Sequence, residues 1–354
     1  MSTEKKCNFT SIGGQAVIEG IMMRGPKTMA TAVRTPGGEI TIKKSPVTSI
    51  GNKYPILKLP FIRGSVNFVE MMLTGYKTLE YSAEQAGLED ETEEPSKFEI
   101  WFKNTFGDKG FSVLMTISAL LGVLLALLLF IYLPTAIVSG FEFITKLQLD
   151  AFRSLIEGIL RIAIFTVYVL GVSRMKEIRR TFEYHGAEHK TIFCYEQGLE
   201  LTPENARKMK RLHPRCGTSF LLIAMVCGIL VGSLVNFLIA PLAPPTIVRV
   251  LLKLVILPVV VGISYEVIKF AGRHDNAFTR IISAPGMWFQ RLTTKEPDDS
   301  MLEVAIAALK AVLPDTPEWE GAVTQADFAE EQTEKTESAE QEQADESENE
   351  TDAQ

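Results

Sequence analysis

The sequence predicts an α-helical membrane protein with four transmembrane helices, a small cytoplasmic α+β N-terminal region and a disordered acidic C-terminal tail. Three observations lead to this fold class. Four stretches approach or exceed the roughly 20 apolar residues that a bilayer-spanning helix needs. The segments between them alternate between strongly basic and nearly uncharged. Residues 315–354 hold fifteen acidic residues and one basic residue, whereas the whole chain of 354 residues carries a net charge of −7.

The predicted spans are 111–133, 155–172, 218–242 and 247–270. The second and fourth contain charged residues, among them Glu157, Arg161, Arg249, Lys253 and Glu266. An ionised side chain at mid-depth costs about 2.5–3.5 kcal/mol on insertion scales, so these charges are expected to avoid lipid. The spacing of Arg153, Glu157 and Arg161 places them on one helix face. They are interpreted as pairing inside the bundle, with a polar pathway or a headgroup contact as the alternative.

Loop charges predict the orientation. The segment 173–217 holds ten basic residues, whereas 134–154 holds two and 241–245 holds none. The positive-inside rule therefore places 173–217 and both termini in the cytoplasm, with the protein in the plasma membrane. The first ten residues are polar and lack the apolar core of a signal peptide.

The parts outside the membrane domain, which is assigned to 96–295, are predicted from local patterns. In the cytoplasmic region 1–95, β-prone runs at 15–23, 28–34 and 39–46 predict a small sheet with a hairpin at Pro-Gly-Gly. The apolar periodicity of 61–85 predicts an amphipathic helix against the sheet or the membrane. Ser300 and Glu303 form a capping box that opens a C-terminal helix, assigned to 296–313. Residues 314–354 are expected to form a disordered, solubilising tail.

Histidine is scarce in this chain, which has four. His185 and His189 are four residues apart and share a face on a helix. With Glu188 they form the pattern H-x-x-E-H, in which two histidines hold a metal ion and the glutamate is the catalytic general base. The alternative is a polar helix at the membrane edge whose histidines bond to backbone or lipid phosphate.

A two-histidine site needs further ligands. His213 and Cys216 are three residues apart, precede the third span, and are both good zinc ligands. A 40-residue loop can bring them back to His185, because loop-closure entropy grows only logarithmically with length. Cys216 can instead be a nucleophile activated by His213, or a small buried residue. The sequence thus predicts a divalent metal cofactor, zinc in the first place, held by His185, His189, His213 and Cys216.

Several other residues are candidates for a second shell or for substrate binding. His274 and Asp275 can supply a ligand or a carboxylate that orients one. Arg215 and Arg273 can recognise an anionic lipid or substrate, or can be ordinary positive-inside charge. Glu19 and Arg24 are the polar members of a glycine-rich apolar run, and either contribute to the site or support sheet packing.

The chain resembles a known family in four segments, at residues 13–26, 182–190, 213–220 and 288–297. These segments are similar to the YqhQ-like bacterial membrane proteins, a family of unknown function described as predicted metal-dependent enzymes. The resemblance covers about residues 12–313 and excludes the acidic tail. It implies a multi-pass protein that depends on a metal, and it implies no particular substrate.

These observations together favour a metal-dependent hydrolase that acts on an amide, ester or phosphoester at the membrane surface. Two alternatives stay open, a non-enzymatic membrane factor with a structural metal and a transporter of small solutes or ions. The expected partners are the lipid bilayer and an anionic lipid or other membrane-surface substrate, with a homo-oligomer as a further candidate. No nucleic acid partner is expected.

Overall fold

The structure is a computed structural model that describes residues 12–87, 110–147, 149, 152–213, 216–239, 245–271, 277–313 and 322–323. The strands are β1 (Gly13–Val17), β2 (Gly20–Arg24), β3 (Thr28–Arg34), β4 (Ile40–Pro46) and β5 (Ala322–Val323). The helices are α1 (Ile62–Gln85), α2 (Gly110–Leu127), α3 (Leu133–Thr145), α4 (Arg153–Val172), α5 (Lys176–Glu196), α6 (Pro203–Arg207), α7 (Gly217–Ile239), α8 (Thr246–Ala271), α9 (Ala277–Thr293) and α10 (Asp299–Val312). Apart from β5, the predicted acidic tail lies outside the described residues.

The N-terminal strands form an antiparallel sheet in chain order, and β5 pairs parallel with β4 at its edge. The predicted strand over 15–23 was wrong as a single element. It divides into β1 and β2 at a two-residue turn, with Val17 opposite Gly20. Glu19 adopts a positive φ of 48° at this turn, which β-propensity could not indicate.

One face of the sheet packs against α5 and α10. Alternate sheet residues such as Ile21, Met23 and Ile42 are fully buried there. Helix α10 contributes Leu302 and Leu309, also fully buried, to the same core. The N-terminal sheet and the C-terminal helix, which were predicted as separate segments, therefore form one layered unit around α5. The cap of α10 also differs from the prediction, because the side chain of Asp298, rather than that of Ser300, accepts the bond from the Met301 amide.

Four helical stretches in the described part of the chain are long and apolar enough to cross a membrane, at Thr116–Thr145, Arg153–Val172, Gly217–Ile239 and Thr246–Ala271. The prediction of four spans is thus confirmed at the level of length and composition. The first continues well past its predicted end, through a π-helical turn at Leu128–Tyr132. Pro134 has no N–H to bond the Phe130 carbonyl, and the Arg161 guanidinium bonds that oxygen at 2.7 Å instead.

Three charges of the second and fourth spans, Arg153, Glu157 and Lys253, meet inside the bundle. Glu266 pairs instead with Arg63 of α1. Arg153 bonds to Glu142, to Glu157 and, at 2.6 Å, to the Ser139 hydroxyl. Lys253 from α8 bonds to the other oxygen of Glu157 and, at 2.5 Å, to the Thr135 hydroxyl. The interpretation of the α4 charges as internal pairs agrees with this arrangement. We refer to Ser139, Glu142, Arg153, Glu157 and Lys253 as the ion network.

Candidate metal centre

The face of α5 that carries the H-x-x-E-H pattern is turned into the protein. His189 and Glu188 are buried and His185 is partly buried. Close packing on both sides holds this helix. A side chain at Gly186 would place its Cβ 2.0 Å from the Lys295 carbonyl oxygen, and one at Gly14 of β1 would place its Cβ 2.9 Å from the Glu188 carboxyl carbon. Glycine at both positions allows the segment after α9 and strand β1 to approach α5.

Cys216 reaches the same place from a different part of the chain. It lies immediately before α7, after a turn in which its amide bonds to the His213 carbonyl at 3.3 Å. Its buried sulfur lies 3.1 Å from Nε2 of His185. One ligand atom from each of His185, His189 and Cys216 lies within 4.8 Å of the others. We refer to these three residues as the His/Cys cluster.

Backbone carbonyls orient both imidazoles. Nδ1 of His185 lies 2.8 Å from the Thr293 carbonyl oxygen, and Nδ1 of His189 bonds to that of Arg211. Because a carbonyl only accepts, a neutral ring must carry its proton on Nδ1 and present the lone pair of Nε2 to the cluster. Carbonyl bonds of this kind fix metal-binding histidines in their rotamer and tautomer.

The acid–base properties of the cluster favour its ligand forms. Burial lowers the pKa of His189, and the neighbouring His185 lowers it further. Burial by itself would raise the pKa of the Cys216 thiol, but the nearby His189 ring and the hydroxyl and amide of Thr218 outweigh it, so the pKa is lowered. A neutral imidazole and a thiolate are the forms that bind a metal ion.

Glu188 lies beside the cluster without belonging to it. Burial raises its pKa to about 7; the nearby Cys216 also raises it, while His185 and a bond from the Gly14 amide oppose this shift. Oε2 of Glu188 is buried and has no hydrogen-bond partner among the described residues, and the same holds for Nε2 of His189. Buried polar atoms in native proteins are usually bonded, so two such atoms at one place indicate room for a ligand.

The donor set suits a divalent transition metal. Two imidazoles and one thiolate are ligands that zinc accepts, at bond lengths of about 2.0–2.3 Å. Ligand atoms around one tetrahedral ion are then roughly 3.2–3.8 Å apart. The His/Cys cluster, with its ligand atoms within 4.8 Å of one another, is close to that spacing.

His213 lies next to the cluster. Its ring centroid is 5.5 Å from that of His189 and 4.6 Å from that of Phe193. Its Nε2 lies 4.0 Å from a carboxylate oxygen of Glu196. Among the described residues, the group of potential ligands that converge comprises the other three and not His213.

Gln290 is a structural residue that sequence reasoning missed. It is fully buried in α9, where its amide bonds to both the N–H and the carbonyl of His213 at 2.8 Å and to the Ser219 hydroxyl at 3.2 Å. It thereby attaches the segment before Cys216 to α9. A polar amide directly after Trp288 and Phe289 was the available signal.

The remaining candidates have other surroundings. The Glu19 carboxylate pairs with Arg180 and accepts a 3.3 Å bond from the Tyr184 hydroxyl, which attaches the β1–β2 turn to α5. Arg24 lines a groove between the sheet and α1. Four further candidates lie outside the described residues, namely Arg215, Arg273, His274 and Asp275.

Comparison with known proteins agrees with the sequence resemblance. The family described as "Protein of unknown function (DUF1385)" matches residues 59–315, which is more than half of the chain. The chain belongs to this family. It is also 34% identical over 306 residues to "Uncharacterized protein YqhQ" of Bacillus subtilis (strain 168), covering 85% of this chain and 92% of that protein. No solved structure matches the chain. A function for this DUF1385 member can therefore be inferred only from the chemistry of the site itself.

Proposed function

We propose that this DUF1385 protein is a metal-dependent membrane enzyme that hydrolyses an amide, ester or phosphoester at the membrane surface. His185, His189 and Cys216 would hold a divalent ion, zinc in the first place. The observation that carries the proposal is the convergence of these three ligand atoms within 4.8 Å, with both histidines oriented by backbone carbonyls. The loop charges favour the cytoplasmic side for this site.

Each residue has a distinct task in this proposal. The Thr293 and Arg211 carbonyls keep the Nε2 lone pairs directed at the cluster. Glu188 is the general base, because its buried Oε2 has no hydrogen-bond partner in the part of the chain that the structure describes and is available to accept a proton. A bound divalent ion supplies Lewis acidity and lowers the pKa of water at the site.

Three potential ligands converge among the described residues, and this number supports catalysis over a purely structural role. Structural zinc sites use four protein ligands, whereas catalytic sites use three and keep one position open. His185 is only partly buried, so the cluster has an approach from outside. This approach is where a substrate would enter.

The test begins with metal content. Full-length protein purified in detergent without chelators is expected to hold about one zinc per chain, and His189→Ala and Cys216→Ala are expected to lose it. Cys227→Ser is the matched control, because that buried cysteine lies in a separate apolar cluster within the membrane helices. Absence of any divalent metal in the wild type, with none taken up on addition, would show that the proposal is wrong.

Two further measurements separate catalysis from structure. Cobalt-substituted protein is expected to show a thiolate-to-metal band that Cys216→Ser abolishes, and added azide should alter its visible spectrum if one position is open. Glu188→Gln is expected to keep the metal yet fail to complement a deletion strain. Full complementation by Glu188→Gln would argue against its role as a base.

The alternative of a structural metal has one observation in its favour. Cys216, Glu188 and His189 are buried where α5 meets the start of α7, so an ion there would join the soluble layer to the bundle. This alternative predicts that azide leaves the cobalt spectrum unchanged and that chelators lower the melting temperature sharply. The transporter alternative is weaker, because Arg153, Glu157 and Lys253 pair with one another around a cavity of about 20 Å³.

A further inference from the structure

The start of α1 contacts the middle of a membrane helix. The Ser65 hydroxyl donates a 2.6 Å hydrogen bond to the Pro258 carbonyl, half-way along the membrane helix α8. A Cβ at Gly262 would lie 2.4 Å from the Phe61 carbonyl oxygen, so the two segments cross in close contact. At 1.5 Å per residue, Pro258 is about 20 Å from the end of α8 at Ala271. The start of α1 therefore reaches well below that end of the span.

The surface around this contact exposes apolar residues among a few charged ones. Four large apolar residues there are 42–65% exposed, namely Ile56, Leu59, Phe61 and Ile62. Lys53 and Lys58 are exposed in the same segment, and Arg63 pairs with Glu266 of α8 at 2.5 Å. An apolar patch of this size is unusual on a water-facing surface and typical of a surface that contacts lipid. Because these residues surround a mid-span contact, bilayer hydrocarbon covers them.

Two contacts mark the membrane surface along α1. The rings of Phe68 and Phe220 lie 5.9 Å apart, and Phe220 is in the first turn of α7. The hydroxyls of Tyr76 and Thr116 lie 2.9 Å apart, and Thr116 begins the first span. The part of α1 between Phe68 and Tyr76 is thus level with the ends of two spans, where lipid headgroups lie.

A polar groove opens at this level between α1 and the second face of the sheet. Its volume is about 290 Å³, and three of its lining residues are cationic, namely Arg24, Lys43 and Lys77. Its single carboxylate, Glu70, accepts bonds from the Ser49 hydroxyl and the Ile50 amide at Oε1, whereas its buried Oε2 has no hydrogen-bond partner among the described residues. The side chains of Arg24 and Lys77 make no hydrogen bond or ion pair with any part of the chain that the structure describes. Six hydroxyls complete the polar lining, those of Thr31, Ser45, Thr48, Thr74, Thr78 and Tyr81.

We propose that this groove binds the phosphate of an anionic lipid headgroup. Excess positive charge, an arginine fork and several hydroxyl donors match the chemistry of a phosphate group. Basic pockets at the membrane surface recognise anionic lipids in this way. The acyl chains of the lipid would continue into the hydrocarbon beside the apolar half of α1. The groove and the His/Cys cluster are lined by different residues, so this proposal does not depend on the metal proposal.

The test measures lipid binding to the full-length protein in detergent by native mass spectrometry. Short-chain phosphatidylglycerol is the probe, with short-chain phosphatidylcholine and inorganic phosphate as comparisons. Phosphatidylglycerol is expected to bind the wild type, and Arg24→Gln with Lys77→Gln should weaken that binding about tenfold or more, because two charged donors to the phosphate are lost. Lys77→Arg, which keeps the charge, should retain most of it.

The matched control is Lys27→Gln with Lys208→Gln, which removes two exposed charges outside the groove. It should bind phosphatidylglycerol as the wild type does, and both double variants should keep their metal content and melting temperature. Equal binding by the groove variant and the control would overturn the proposal. Equally tight binding of phosphatidylcholine, or displacement of the lipid by equimolar inorganic phosphate, would also overturn the assignment to an anionic lipid.

Discussion

The two ends of the helical bundle both bury polar side chains, and they differ in how far those side chains satisfy one another. In the ion network, Arg153 contacts three partners, and Lys253 contacts Glu157 and a hydroxyl. Glu157 of that network lies about 20 Å of helix before Val172, the last residue of α4. The chain then continues into α5, which carries the two histidines of the cluster. At the His/Cys cluster, Oε2 of Glu188 and Nε2 of His189 remain without hydrogen-bond partners among the described residues.

The difference teaches how to distinguish structural from functional polar groups in this protein. Charges that satisfy one another leave nothing for a ligand to bind, and they hold helices together inside an apolar medium. Polar atoms that converge with unused bonding capacity are suited to bind a ligand. The comparison therefore supports a stabilising role for the ion network and the proposed metal-binding role for the cluster.

The largest expected effect comes from breaking the ion network. Glu157→Gln removes the carboxylate that Arg153 and Lys253 share, which leaves two cations with reduced compensation. Removing one partner of a buried ion pair costs about 3–5 kcal/mol. We expect a clearly lower melting temperature in detergent, with unchanged metal content per folded chain. Loss of the metal in this variant would contradict the separate roles of the ion network and the His/Cys cluster.

Removal of the Gln290 amide is expected to have an intermediate effect on stability, at the end of the bundle that carries the His/Cys cluster. Gln290→Leu leaves the buried N–H and carbonyl of His213 without their partner, at a cost of about 2–3 kcal/mol. Because that segment positions Cys216, the apparent zinc affinity should also fall, as measured by competition with a chelator. Glu157→Gln serves as the reciprocal control. An unchanged zinc affinity in Gln290→Leu would show that α9 does not position the cluster.

The smallest expected effect comes from Asp298→Ala, which tests whether loss of stability alone releases the metal. Asp298→Ala removes the N-cap of α10, which packs on α5 but does not touch the cluster, and should cost about 1 kcal/mol with the metal retained. Burial would raise the pKa of Asp298, but bonds from the Ser300 hydroxyl and the Met301 amide lower it overall.

The sign of the pH dependence follows from that lowered pKa. The Asp298 carboxylate contributes its stability above the pKa of the unfolded state, and the contribution disappears as the pH falls through the lower pKa of the folded state. The difference in melting temperature between wild type and Asp298→Ala should therefore be present at neutral pH and shrink in strong acid. Asp298→Asn, which keeps a capping side chain, should lose less stability and show no such pH dependence.

Much of the candidate site is predictable from the sequence. Helical spacing indicates His185, Glu188 and His189, and the spacing of Cys216 from His213 just before a span indicates Cys216. Gln290 was missed, because nothing in a sequence shows which amide will bond a distant peptide group. The split of 15–23 into two strands was also missed, since it depends on the backbone conformation of Glu19.

The sequence by itself determined the four candidate membrane helices, the separation of basic loops from an acidic tail, and the main ligand candidates. These are properties of hydropathy, net charge and local spacing, which act within a few turns of chain. Only the tertiary structure decided which candidates converge, which nitrogen of each ring faces the cluster, and which charges neutralise one another. Those outcomes depend on contacts between residues far apart in the chain, and packing and hydrogen bonding across the fold select them.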